Sequence, residues 1–201
     1  MRLLVTVLSV VWMAAPAQAQ WVVTPYLGGN VAGDTEFRRG GPGASLGYLG
    51  GRLGFELDLQ RYNHFFKDSE IFPLDPAAPP NCTPAVSPGR PCTDINTDAL
   101  GFMGNLVVPV RPSGASKWRP YATAGLGVIR AWTNEAHRNQ DNFAFNVGGG
   151  VMYALSTRVG LRSDLRNFRA LVDETKADGV YFKDYGFWRV SVGVMLSFPR
   201  K

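Results

Sequence analysis

Apolar and polar residues alternate with a period of two along most of this chain. The alternation predicts eight β-strands, at about 21–32, 43–50, 52–62, 97–110, 119–131, 142–154, 158–169 and 185–198. The last shows the pattern best: Trp188, Val190, Val192, Val194, Leu196 and Phe198 share one face. Arg189, Ser191, Gly193 and Ser197 share the other, with Met195 the exception. In the third strand Leu53, Phe55, Leu57 and Leu59 oppose Gly54, Glu56, Asp58 and Gln60. The sixth sets Phe143, Phe145, Val147, Val151 and Tyr153 against Ala144, Asn146, Gly148 and Gly150. The seventh sets Val159, Leu161 and Leu165 against Gly160, Arg162, Asp164 and Arg166. The fifth, Tyr121 to Arg130, is rich in small residues, and its faces do not declare themselves.

The connections alternate as well. Gly50-Gly51, residues 111–118 and Leu155 to Thr157 read as tight turns, whereas 33–42, 63–96, 132–141 and 170–184 are longer and more polar. Short turns at one end and long loops at the other are the arrangement of a barrel that spans an outer membrane. The expected fold is therefore all-β: an eight-stranded, antiparallel, up-and-down transmembrane barrel.

A soluble barrel that binds a small apolar ligand would also alternate, with its apolar face inward. Three features favour the inverted arrangement. The polar face is rich in Gly and small residues, as a narrow eight-stranded interior requires. It carries charges of both signs, Glu56, Asp58 and Asp164 against Arg162, Arg166 and Arg189, and a closed interior demands partners for each. Arg162 and Arg166 are expected to point inward and pair with Glu56 or Asp58. Aromatics also gather near strand ends: Trp21, Trp118, Tyr121, Tyr153 and Phe198 at one rim, and Trp132, Phe143, Phe168, Tyr185 and Trp188 at the other. That distribution predicts two aromatic girdles.

The N-terminus changes the picture by adding a destination. Arg2 precedes an apolar run from Leu3 to Ala15, and Ala17-Gln18-Ala19 supplies a small-residue cleavage site. Residues 1–19 thus read as a signal peptide cut between Ala19 and Gln20, leaving 20–201 as one barrel domain. The run is too short for a transmembrane helix, which needs about 20 apolar residues. Export leads to an oxidising compartment, so Cys82 and Cys92 are expected to form a disulfide. The formal charge of +5 comes from basic residues that do not cluster, which gives nucleic-acid binding no support.

Several segments together resemble the eight-stranded outer-membrane β-barrel family, the OmpA/OmpX type of small barrel. They are Pro120-Tyr121 followed by AGLGV at 124–128, VGGGVMY at 147–153, VGLRSDLRNF at 159–168 and the closing RVSVGVMLSF. The resemblance implies residence in the cell outer membrane of a Gram-negative bacterium, with outer-membrane lipids and the barrel insertion machinery as partners. Such chains usually end on an aromatic; here Phe198 is followed by Pro199-Arg200-Lys201. Set against two-domain relatives of that family, no C-terminal soluble domain and hence no grip on peptidoglycan is expected. The resemblance implies a porin-like or structural envelope protein without a cofactor.

Some members of that class are lipid-A-modifying enzymes, which need a His near a Ser nucleophile. His64 has Ser69 and Asp68 close in sequence, and His137 lies in the third long loop, but no nucleophile-elbow motif surrounds any Ser. No catalytic, cofactor-binding or metal-binding residue is expected. The 63–96 loop is distinctive, with half of the 14 prolines between Pro73 and Pro91 and the apolar residues Phe65, Phe66, Ile71 and Phe72 before them. Long loops on a rigid scaffold are where binding functions sit, so adhesion or surface contact is an expected use, with no ligand named by the sequence.

Overall fold

Strands in this chain pair because each has one apolar and one polar or small face, and closing the sheet sorts the two faces to opposite sides of a wall. The computed structural model describes residues 20–35, 40–65, 72–73, 97–110, 116–133, 139–171, 180–181 and 185–199. Ten strands are present among them: β1 (Gln20–Gly33), β2 (Gly40–Leu49), β3 (Gly54–Tyr62), β4 (Phe72–Pro73), β5 (Thr97–Pro109), β6 (Trp118–Thr133), β7 (Asn139–Ala154), β8 (Val159–Leu171), β9 (Val180–Tyr181) and β10 (Tyr185–Pro199). Eight close into an all-antiparallel barrel in the order β1-β10-β8-β7-β6-β5-β3-β2. The remaining two, β4 and β9, pair with each other, so the second and fourth long connections meet outside the barrel sheet. That pairing had no signal in the alternation, since each strand is two residues long.

Paired residues can be followed once around the barrel, from Gln20 through Leu49, Gly54, Val107, Thr123, Gly148, Arg166 and Arg189. The path returns to β1 at Asn30, ten residues farther along. With about 3.3 Å per residue and about 4.8 Å per strand, this stagger tilts the strands by about 40°. A barrel of eight strands has an interior that side chains fill. β3 and β8 lie four strands apart in either direction, so they face each other across that interior.

The apolar faces turn outward. Leu27, Phe55, Leu126 and Val192 are the most exposed large apolar residues, at 71, 61, 59 and 59%. A surface of that composition suits hydrocarbon rather than water. The faces of β6, ambiguous in the sequence, are now plain: Tyr121, Thr123, Ile129 and Ala131 are buried inside, whereas Ala122, Ala124, Leu126, Val128 and Arg130 face out.

The girdle expectation needs correction at three residues. Tyr121, Phe168 and Tyr185 are not on the outer wall but buried within the barrel. Each has the inward parity of its strand; Gly150, paired with Tyr121, and the alanines around Phe168 and Tyr185 leave room for the rings. Tyr185 and Phe168 join Tyr62, Phe65 and Phe187 in an apolar layer toward the long connections, where Ala99, Ala131, Ala144 and Ala170 line the wall. Tyr121 joins Val22, Leu49, Val107, Met152 and Met195 in a second apolar layer toward the short turns. Trp21, Trp118 and Phe198 do remain exposed on the outer wall at the short-turn end, with Trp188 and Phe143 exposed on the same wall farther along.

Candidate functional site

Between the two apolar layers lies the most concentrated chemistry among the described residues. Glu56 and Asp58 come from β3, Arg162, Asp164 and Arg166 from β8, and Arg189 from β10; these are all the buried charges there. Strand parity puts them inside, because residues two apart along a strand share a face. Arginine suits the task on β8: its long, forked side chain reaches across to the shorter carboxylates of the facing strand.

The six are brought into one set of contacts. Arg162 donates through Nη1 to Glu56 Oε2, and through Nε to Asp164 Oδ2 at 3.0 Å. Arg166 donates through Nη2 to Glu56 Oε1 at 2.9 Å and to Asp164 Oδ1 at 2.7 Å. Its Nη1 stands 4.0 Å from Asp58. Arg189 donates to both oxygens of Asp58, at 3.0 and 3.4 Å, and to Gln60 Oε1 at 2.8 Å. Three cations therefore meet three carboxylates. The set has two lobes: Glu56 and Asp164 each share Arg162 and Arg166, while Asp58 relies mainly on Arg189.

Neutral residues complete the network, and sequence reasoning passed over them. Tyr26 donates to Asp58 Oδ2 at 3.0 Å, and its ring lies 5.3 Å from the Arg189 guanidinium. The Tyr121 hydroxyl accepts from Arg162 Nε at 2.8 Å. Asn146 donates to Asn105 Oδ1 at 2.8 Å, and Asn105 donates to Glu56 Oε1 at 3.4 Å. Phe168 stacks its face against Arg189 at 4.9 Å. A usable signal did exist: Asn105 stands alone as an amide among the apolar and small inward residues of the second half of β5, and Asn146 shares the inward parity of β7 with Asn142.

Chemically, such a set neutralises itself. Side-chain exposure of the six charges does not exceed 7%. Every carboxylate is engaged by a guanidinium, and burying a charge is tolerable only when it is so paired. By contrast, Arg61–Asp98 and Arg130–Asp141 pair on the outer surface, at 3.1 and 2.6 Å. Exposed pairs of that kind contribute little stability.

The other sequence-selected residues fall elsewhere. Gln20 opens β1 at the barrel's edge, while Ala19 and the rest of the N-terminal segment lie outside the described residues. Cys82, Cys92, Asp68, Ser69 and His137 lie outside them too. His64 follows β3 with a left-handed φ of 50°, and its backbone N–H donates to Asp98 Oδ1 at 3.3 Å. This turn sends Phe65 into the outer apolar layer, against Tyr62 and Phe187 at 5.0 and 5.2 Å between ring centroids. Among the described residues no group of three His, Cys, Asp or Glu is placed to hold a metal ion.

A closed antiparallel barrel with an apolar outer wall, a self-neutralised charged centre and long connections at one end defines the class: a small transmembrane barrel of the outer-membrane type. The sequence matches the family model described as outer membrane protein beta-barrel domain over residues 3–198, and the chain belongs to that family. No curated protein matches the sequence. Among solved structures, neisserial surface protein A is similar with a TM-score of 0.55 at 17% identity, over 90% of this chain and 96% of that one. The outer membrane protein AlkL, determined in lipid bilayers, gives 0.54 at 12% identity over 93% of each chain. OprG of Pseudomonas aeruginosa gives 0.52 at 13% identity, over 92 and 97%. At these identities the likeness concerns the fold.

Proposed function

We propose that this outer-membrane barrel is a non-enzymatic envelope scaffold that conducts no ions and holds its long loops outward for surface contact. The observation that carries the reading is the charge network of three cations and three carboxylates buried between two apolar layers. An ion entering it would have to displace paired charges and shed its own water, both at high cost. Residues 1–19 act as the export signal, cut between Ala19 and Gln20, and Cys82 and Cys92 close a disulfide within the long second loop. The pairing of β4 with β9 supports a loop surface built from two connections at once.

Planar-bilayer recording of the purified barrel tests the reading. The expected trace shows no steps above the leak of the bare membrane, and removing residues 74–92, both cysteines included, leaves it silent while reducing attachment of cells to a host or abiotic surface. Stable conductance steps that persist after repurification would overturn the sealed interior. Unchanged attachment would remove the loop role. Hydrolysis or transfer of a lipid acyl group by the protein, lost on His64→Ala, would replace the scaffold reading with an enzymatic one.

A further inference from the structure

The outer wall is not uniform. A groove of about 880 Å³ crosses it from the short-turn end of β2 and β3 toward the middle of β6 and β7. Its floor is Gly104 and Ala124, which are diagonal neighbours on β5 and β6. Leu57 and Leu126 flank Gly104 through direct pairing, and Leu106 and Val147 flank Ala124 in the same way. Four large side chains thus stand around two small ones.

Gly104 has no reason to be glycine inside its own chain. A Cβ built there meets nothing closer than the Leu126 carbonyl at 3.8 Å, an ordinary contact. Elsewhere the fold demands the missing side chain: at Gly148 a Cβ would lie 2.2 Å from the Leu165 carbonyl. Glycine in a strand interior weakens it and often marks a bulge, a tight bend or a close approach by a ligand or another backbone, and the register of β5 runs unbroken through Gly104 on both sides, which leaves the last. At Gly104 that molecule must come from outside the barrel.

The surroundings say what kind of molecule fits. The groove opens on the wall that meets hydrocarbon, and its lining is almost wholly apolar. At its short-turn end the rings of Trp21 and Tyr48 pack at 5.2 Å, the amphipathic residues of a membrane interface. Tyr48 and Phe55 pair directly, and the turn just beyond them carries the exposed Arg52. A second barrel is a poor occupant, because its wall is convex. An acyl chain is narrow and flexible enough to lie along the floor.

We propose that this groove is a binding site for one acyl chain of a glycerophospholipid, whose phosphate rests beside Arg52 at the short-turn end. The site retains a lipid that the rest of the wall exchanges freely. Native mass spectrometry of the full barrel, released from mild detergent after incubation with palmitoyl-oleoyl phosphatidylglycerol or phosphatidylethanolamine, provides the test. The expected result is one retained phospholipid per barrel. Gly104→Leu and, independently, Ala124→Leu should cut that retention by about tenfold or more, since each removes several methylene contacts. Val192→Leu, on the opposite wall, should leave it unchanged. Arg52→Gln should keep the retained chain but abolish any preference for the anionic headgroup. Heat-modified gel mobility establishes that each variant is folded. Equal retention by both groove variants would overturn the site, and an unaltered headgroup preference in Arg52→Gln would overturn the placement of the phosphate. A dimer of wild-type barrels that Gly104→Leu dissociates, with no bound lipid, would make the groove a protein interface and overturn the lipid as its occupant.

Discussion

Arg189→Met is the sharpest test of the barrel's interior. Methionine keeps much of the length and the apolar stem but removes all the donors. The change deletes the contacts to Asp58 at 3.0 and 3.4 Å, to Gln60 at 2.8 Å and to the Tyr26 hydroxyl at 3.3 Å. Asp58, with 3% of its side chain exposed, keeps only the Tyr26 hydroxyl at 3.0 Å and Arg166 at 4.0 Å. Stranding one member of a buried pair costs about 3–5 kcal/mol. Arg162→Met should cost less, about 1–3 kcal/mol, because Arg166 still holds both Glu56 and Asp164, at 2.9 and 2.7 Å. Arg61→Met, on an exposed pair, should cost no more than about 1 kcal/mol. Urea unfolding in phospholipid vesicles, followed by tryptophan fluorescence, measures all three. Adding Asp58→Asn to Arg189→Met removes the stranded charge, so the double variant should lose about 0.5–3 kcal/mol less than the sum of the singles. If Arg189→Met costs no more than Arg61→Met, or if its loss adds fully to that of Asp58→Asn, the two-lobed network does not govern stability.

Three further outcomes are expected. Mass spectrometry of the protein purified from outer membranes should give a chain beginning at Gln20; a mass that includes Met1 in an inner-membrane fraction would refute the export signal. Reduction of the Cys82–Cys92 disulfide should leave the urea midpoint of the barrel nearly unchanged, although closing a short ring can be worth up to about 3 kcal/mol when the loop shares in the fold; a large drop would mean that the loop is part of the folded barrel. Gly148→Ala should destabilise, since its Cβ would meet the Leu165 carbonyl at 2.2 Å, whereas Gly104→Ala should be neutral or slightly stabilising in the same unfolding assay.

The barrel's closure was legible because most spanning strands carry their own instructions; only β6, rich in small residues, left its faces open. Alternation fixes which side chains face out, and the sequence of short and long connections fixes direction. Arg162, Arg166, Glu56 and Asp58 could be placed inside on energy alone, since an arginine facing mid-membrane lipid costs about 2–4 kcal/mol. Who pairs with whom was less legible. Pairing across the interior depends on the ten-residue stagger, and stagger is set by strand-to-strand register rather than by any one strand. For that reason Arg162 reaches Glu56, Asp58 turns instead to Arg189, and Tyr26 and Tyr121 enter as partners that parity alone left undistinguished from packing residues. The aromatic girdle was over-read at Tyr121, Phe168 and Tyr185 because position near a strand end says nothing about the face; parity points Phe168 and Tyr185 inward, and Tyr121 lies on the one strand whose faces the sequence left open.

The interior and the outer wall answer opposite demands with the same two-residue period. Inside, small residues leave room for long ones from the facing strands: Ala99, Ala131, Ala144 and Ala170 around Phe65, Phe168 and Phe187. Those vacancies are filled by the chain itself. Phe168 and Phe187 stack at 4.9 Å with an interplanar angle of 4°, and Phe65 is carried in by the turn at His64. Outside, the vacancy over Gly104 has no such filler among the described residues. A strand exposed to lipid gains nothing from glycine, which costs conformational entropy and offers no side chain to pack. The vacancy is therefore informative in a way that the interior ones are not. If the membrane supplied only a fluid, featureless solvent, a larger apolar residue at 104 would serve the fold better. That glycine stands there is the reason to expect a bound chain, and the difference between Gly104→Leu in lipid-free detergent and in vesicles measures it. The substitution should stabilise the barrel in detergent, by supplying the missing side chain, and lose that advantage in phospholipid, where it displaces the retained acyl chain. Equal stabilisation in both media would mean that nothing occupies the groove.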